Sequence, residues 1–191
     1  MPGWAIGLII GGVLLLLVVI LIGWWIGCYN ALIRLRNQAE EAYSTMDVYM
    51  KKRYDLIPNL VETVKGYAKH EKSALEGVMQ ARYACMSAND PEEKLKQENM
   101  LAGTLKTLFS VAENYPDLKA NANFIDLQNS LKGLEGEIAS ARKYYNGCVR
   151  MFNTKIEVFP SNIIARHYRF EKKPLFEITN EEEKVAPKVK F

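Results

Sequence analysis

The sequence predicts an all-α protein: an N-terminal transmembrane helix that continues into an antiparallel bundle of about four helices, then an extended C-terminal tail. Three observations carry this. Trp4 to Ile26 reads WAIGLIIGGVLLLLVVILIGWWI, with no charged side chain. Downstream, apolar residues recur three and four positions apart, the spacing of one stripe along a helix. Breakers and caps interrupt that rhythm at only a few places. With 191 residues, the chain has room for one membrane segment and one soluble domain of ordinary size. The expected division is an anchor over 1–28, a helical bundle over 29–160, and a short helix with an extended tail over 161–191.

As a helix the apolar run extends roughly 34 Å at about 1.5 Å per residue, which matches a hydrocarbon core of roughly 30 Å. It begins MPGW rather than with a basic segment and ends in Trp24 and Trp25, an interfacial belt, so it reads as an uncleaved anchor. Met1 to Gly3 carry no Lys or Arg, whereas Arg34 and Arg36 follow closely and Lys51, Lys52 and Arg53 lie farther on. The positive-inside rule then places the protein in the cell membrane as a single-pass chain, N-terminus outside and bundle in the cytoplasm. Gly3, Gly7 and Gly11 fall four apart, a spacing that lets helices approach closely in lipid. Gly23 and Gly27 repeat it, but turned about 120° away at roughly 100° per residue.

After Cys28, the residues Leu32, Leu35, Ala39, Ala42, Met46 and Tyr49 keep helical spacing, and YNALIRLRNQ contains no breaker, so the first helix runs on out of the membrane. At Pro58 two readings stay open: Asp55 caps a new helix with Pro58 in its first turn, or Pro58 kinks one longer helix. Leu60, Val64, Tyr67, Glu71, Leu75, Val78 and Arg82 then carry helix to about Ser87. SANDPEEK supplies a start signal, with Asp90 at the cap, Pro91 at the first helical position and Glu92 and Glu93 near the positive end of the dipole. Leu101, Leu105, Leu108 and Ala112 form that helix's stripe, and NYPDL stops it. The longest pattern runs Phe124, Leu127, Leu131, Leu134, Ile138, Ala141, Tyr145, Cys148, Phe152, and Leu134 is taken as a core position. FPSN at 159–162 ends it, NIIARHYRF is a short helix, and PLFEITNEEEKVAPKVKF reads as extended.

Composition narrows function. A formal charge of +3, with 25 basic residues interspersed among 22 acids, gives no block of cations for nucleic acid. Cys28, Cys85 and Cys148 are widely spaced and odd in number, which implies neither a zinc knuckle nor a disulfide framework. Cys85 and Cys148 fall on apolar faces as small buried hydrophobes. His70 lacks the second histidine four residues on that a helical zinc site needs, and His167 is the only other histidine. No phosphate loop, nucleophile elbow or cysteine–histidine pair is present. Hence no catalytic, metal or cofactor residues are assigned. Arg53 is expected to pair with Asp55 or Glu62 as a structural ion pair. An enzyme built on Arg53, Asp55, Glu62 and His70 is the weakest reading. Pro58 is expected to set a bend braced by Tyr115 and Pro116.

YNALIRLR (29–36), KRYDLIPNLVETVKGYAKHE (52–71), the AR of 81–82, AENYPDLKANANFIDLQ (112–128), ARKYYN (141–146), FNTKIEVFPSNIIA (152–165) and the closing KVKF resemble the LemA family over essentially the whole chain. The resemblance implies a bacterial, membrane-anchored helical bundle in a family without established catalytic residues. Members are associated with membrane proteostasis near HtpX-like peptidases, and one relative with magnetosome membranes. The chain departs from the usual pattern at Gly136, where a larger polar residue is usual, and at Tyr168 and Arg169, where glycine is often found before Phe170. Together these readings predict a non-enzymatic scaffold with the lipid bilayer as one partner, which self-associates as a homo-oligomer or docks proteins at the membrane surface. The alternative is an adaptor for a membrane protease, held by the bundle or by the VAPKVKF tail.

Overall fold

The structure, a computed structural model, describes residues 2–88 and 90–176. Among them helix is the only regular structure: α1 (Gly3–Tyr67), α2 (Lys72–Ser87), α3 (Pro91–Ala112), α4 (Pro116–Lys119), α5 (Ala122–Glu157) and α6 (Ser161–His167). The all-α expectation holds. The segment after Tyr168 is without regular structure to Phe176, and the VAPKVKF tail lies outside the described residues.

Pro58 sits inside α1, so the longer-helix reading is the correct one and Asp55 caps nothing. An interior proline costs about 3 kcal/mol. The buried positions Met46, Met50, Arg53, Ile57, Leu60, Val61 and Val64 run through it without a gap, and each buried aliphatic side chain returns about 1.5–3 kcal/mol.

The expected continuation of helix to Ser87 is wrong in one respect: α1 ends at Tyr67 and the chain reverses over 68–71. Ala68 is fully buried, its N–H donates to Val64 O at 2.8 Å, and Glu71 N–H donates to Ala68 O at 3.1 Å. Tyr67, which a continuing stripe would bury, is exposed. The signal passed over is Gly66, which costs a helix about 1 kcal/mol relative to alanine, beside Lys65 in the last turn.

α3 begins as its cap dictates, the Asp90 carboxylate accepting from Glu92 N at 3.0 Å and Glu93 N at 3.1 Å. α5 has an unanticipated cap: Asn121 Oδ1 accepts from Phe124 N at 3.0 Å. Of its stripe, Phe124, Leu131, Ile138, Ala141, Tyr145, Cys148 and Phe152 are buried, whereas Leu127 and Leu134 are only half-buried.

The chain divides into two compact units. One comprises the chain through Glu41 with Gly147–Lys173. Its core gathers Cys28, Leu32, Phe152, Ile164 and Ala165, with Trp25, Tyr29, Leu35, Ile156 and Phe170 packed on them. α1 is long and apolar enough to cross a membrane, and every residue from Leu8 to Ile22 is exposed. Asn153 pairs with both main-chain groups of Lys173: its Nδ2 donates to the carbonyl at 2.9 Å, and its Oδ1 accepts from the N–H at 3.0 Å.

The other unit comprises Ala42–Asn146 and, among the described residues, 174–176. Here Tyr43 packs on Tyr145, Arg53 bonds Glu135 and Tyr67 accepts from Asn121. Each step forward along α1 is matched by an equal step backward along α5, so the two run antiparallel. Contacts from Asp47 to Lys94, Tyr54 to Glu98 and Glu71 to Tyr115 run in the same sense, so α3 is parallel to α1. Asn146 pairs with Phe176 as Asn153 does with Lys173, at 3.0 and 2.7 Å.

Ile138→Ala should lower stability by about 2–5 kcal/mol, as truncation of a fully buried aliphatic does, and Leu134→Ala by clearly less. Thermal melting of the detergent-solubilised protein checks this, and equal losses would contradict the burial pattern.

Candidate functional site

The polar centre of the bundle is built from α1, α2, α3 and α5. Arg53 occupies a position of the buried α1 stripe and is 1% exposed; Glu98, between Leu95 and Leu101 on the α3 stripe, is also 1% exposed. Two opposite charges thus replace apolar residues on facing stripes. Arg53 Nη2 donates to Glu98 Oε2, and Nη1 donates to Glu135 Oε2 at 2.5 Å. The Tyr54 hydroxyl donates to Glu98 Oε1, so both carboxylate oxygens are satisfied. Arg53 Nε has no partner among the described residues.

Pro58 enters this cluster through its missing N–H. In a helix, residue 58 would donate to the carbonyl of residue 54; proline has nothing to donate. The orphaned Tyr54 carbonyl instead accepts from Arg82 Nε at 2.7 Å. The arginine of α2 therefore completes the hydrogen bonding that the proline of α1 leaves open.

Burial, reinforced by the Glu98 charge and bond, raises the Tyr54 hydroxyl pKa. The same causes push the Cys85 thiol from 9.0 up to about 12, which keeps it neutral and unreactive. Nearer one end, Lys94 bonds Asp47 and lies over the Tyr43 ring at 5.9 Å. Burial pulls the Lys94 pKa down, but the bond and the surrounding negative groups outweigh it, and the net shift is upward. Tyr115, at the surface, has its hydroxyl pKa raised by its 3.0 Å bond to Glu71.

A groove of about 760 Å³ opens beside the ion pair, between α3 and α5, with Leu105, Phe109 and Leu131 among its apolar lining and Arg53, Lys106 and Glu135 among its charges. No cluster of three metal-ligating side chains occurs among the described residues.

The residues singled out from sequence separate. Arg53 is buried, but its partners are Glu98 and Glu135 rather than Asp55 or Glu62, both of which are exposed, as is His70. Neighbouring residues on one helix point in different directions, and a buried guanidinium needs partners from the elements packed over it. Tyr115 and Asn121 bond Glu71 and Tyr67, and Tyr67 lies about 14 Å along α1 from Pro58 at about 1.5 Å per residue. The irregular segment around Pro116, the first residue of α4, thus braces the turn that ends α1, because Pro58 makes no break there to brace. Glu98 and Arg82 were missed as partners. A charged residue three positions from leucines on both sides was the available signal for Glu98; nothing local marks Arg82. A methyl group placed on Gly7 or Gly11 meets nothing within 4 Å, and Gly3 begins α1. Gly136 likewise has open space around it. Arg169 adopts φ 55°, the left-handed region that favours glycine.

Residues 42–191 match the LemA family. The chain belongs to the LemA family. Protein LemA of Metamycoplasma hominis is 27% identical over 146 residues, a match covering 74% of this chain and 65% of that protein. Magnetosome protein MamQ of Magnetospirillum gryphiswaldense is 22% identical over 174 residues, covering 78% of this chain and 64% of that one. The chain therefore spans just under two thirds of the length of these relatives. Among the pieces of the LemA-like sequence, the KRYDLIP and AR segments are those that supply Arg53, Tyr54, Pro58 and Arg82.

Two outcomes follow for this cluster. Arg82→Leu should cost about 1–3 kcal/mol by stranding a buried carbonyl, and much less in a Pro58→Ala background, where residue 58 regains its N–H. A double-mutant cycle by chemical denaturation measures that coupling. Cys85 and Tyr54 both have pKa values raised in the folded state, so the stability they contribute is complete below their unfolded values. It should fall as pH rises from about 9 toward 12, and Cys85→Ala should flatten the lower part of that fall.

Proposed function

We propose that this LemA-family protein is a non-enzymatic, membrane-tethered helical scaffold that self-associates or docks other proteins at the surface of a bacterial membrane. The observation that carries the reading is the continuity of α1, which is one helix from the apolar segment to the residues that core the bundle. Association of either segment then brings the other along in the same chain, with no loop to decouple them. The ionisable groups inside the bundle are engaged with one another, which suits holding helices together rather than turning over a substrate. Open space at Gly7 and Gly11 leaves the small-residue face of the apolar segment available to a second helix. Similarity to a magnetosome protein fits an organising role. The topology that goes with the reading has the N-terminus outside and the bundle in the cytoplasm, the orientation that Arg34 and Arg36 after the span favour.

Mass photometry of the gently solubilised full-length protein should give an oligomer, or a complex of fixed stoichiometry. Solitary monomers alone would count against both forms of the scaffold. Recovery of a membrane peptidase as the stoichiometric partner would replace self-assembly with the adaptor reading. A reporter fused after Phe191 should be active only inside the cell.

A further inference from the structure

The corner where α5 turns into α6 lies at the height of the tryptophan pair that closes the apolar segment. Trp24, Gly27 and Cys28 share a hollow of about 280 Å³ with Lys155, Pro160 and Ser161. Trp25 Nε1 donates to the Tyr168 hydroxyl at 3.4 Å, and its ring meets His167 edge-on with centroids 5.5 Å apart. Ser161 starts α6 and His167 ends it. Both ends therefore sit against the same turn of α1, so α6 lies across α1 rather than along it. If α1 crosses the bilayer, α6 lies in the plane of its surface.

One side of α6 buries Ile164 and Ala165. The other presents Phe159, 79% exposed, and Ile163, 50% exposed, which with Trp25, Asn162, Arg166 and His167 line an open hollow of about 420 Å³. Phe159 and Ile163 together make an exposed apolar patch, and such patches rimmed by polar side chains mark protein or membrane contacts. Apolar side chains flanked by arginine at the level of a tryptophan belt are at home in the headgroup region. Between residues 155 and 172 the cations Lys155, Arg166, Arg169 and Lys172 face only Glu157 and Glu171, and Lys172 is bonded to Glu157. Arg166 and Arg169 are exposed. Arg169 is held in the left-handed conformation that glycine would adopt without strain.

We propose that the α5–α6 corner is a second membrane contact, in which Phe159 and Ile163 enter the boundary between headgroups and acyl chains while Arg166 and Arg169 bind the phosphates of anionic lipids. The inference rests on the reading that α1 spans the membrane. The bilayer is the occupant because the exposed corner is continuous with the apolar surface of α1 at Trp24 and Trp25, and because its charge is complementary to anionic headgroups. With the span it gives the protein two points of attachment, and so a fixed orientation at the surface.

The test places an environment-sensitive NBD label on full-length protein in nanodiscs, at Phe159→Cys or Ile163→Cys, with Val13→Cys in the span and Met100→Cys on α3 as references. The native cysteines are buried, and unsubstituted protein gives the background labelling. Lipids carrying a nitroxide near the top of the acyl chain should quench labels at 159 and 163, lipids carrying it near the chain end should quench the label at 13, and both should leave 100 unchanged; emission at 159 and 163 should lie at shorter wavelength than at 100. Quenching at 13 without quenching at 159 and 163 would overturn the corner contact while leaving the span intact. No quenching at 13 would remove the span and this inference with it. A blue shift at 159 without lipid quenching would mean a protein occupant and would equally overturn it. Replacing part of the phosphatidylcholine by phosphatidylglycerol should deepen quenching at 159, and Arg166→Gln with Arg169→Gln should abolish that increase. An increase that persists in the double variant would overturn the arginines' role.

Discussion

The Arg53–Glu98 pair is the constraint around which the bundle is arranged. Each partner is shut away from water, and desolvating an ion costs several kcal/mol unless its hydrogen-bonding groups are met inside. Arg53 Nε apart, they are met only when α1, α3 and α5 stand at one set of relative heights. Arg53 then bridges to both Glu98 and Glu135, and the Tyr54 hydroxyl fills the remaining carboxylate oxygen. A slide of either neighbour by one helical turn, about 5.4 Å, would strand a buried charge. The apolar stripes by themselves would tolerate such a slide, because leucines three and four apart repeat along every helix. Attraction between the helices comes from the stripes; their register comes from the charges.

The same division explains what could be read from the sequence. Periodicity located the helices because burial acts on each helix separately: the Asp90–Pro91 start, the stop at NYPDL and the long pattern of α5 are all local. The break after Tyr67 was missed because Gly66 was the sole local cue and the spacing of Leu75 and Val78 continues across it. The partners of Arg53 were misassigned because the sequence shows neighbours along one helix, while a buried guanidinium answers to whatever packs over it. Pro58 was the more instructive case. Its missing donor is plain in the sequence, but that Arg82 makes good the loss depends on how α2 folds back on α1, which no local pattern encodes.

Two kinds of aromatic surface occur in the unit that contains the apolar segment. Phe170 meets buried Phe152 edge-on and half-buried Tyr29 at a tilt, contacts that hold α5 and the segment after α6 on α1. Around Trp25, Phe159 is largely exposed and Trp24 and Tyr168 are exposed over nearly half of their surface. Membership of the LemA family and a helix long and apolar enough to span a bilayer are the grounds on which that exposed set is proposed to meet lipid. The departure at Tyr168 is constructive, since its ring packs at a tilt on Tyr29 with centroids 4.5 Å apart and its hydroxyl accepts from Trp25, contacts that glycine has no atoms to make.

Asn146 grips Phe176, and Asn153 grips Lys173, through main-chain atoms alone. Each amide imitates a rung of β-ladder offered by a helix, and such a rung is indifferent to the side chain it holds. The segment after α6 is thus fastened by its peptide groups at both positions, and the Phe176 side chain, 1% exposed under Arg142, adds packing of its own. For a protein engineer this means that Lys173 can be exchanged without loosening the clasp at Asn153, whereas Phe176 is held twice over, by its peptide groups and by its buried ring.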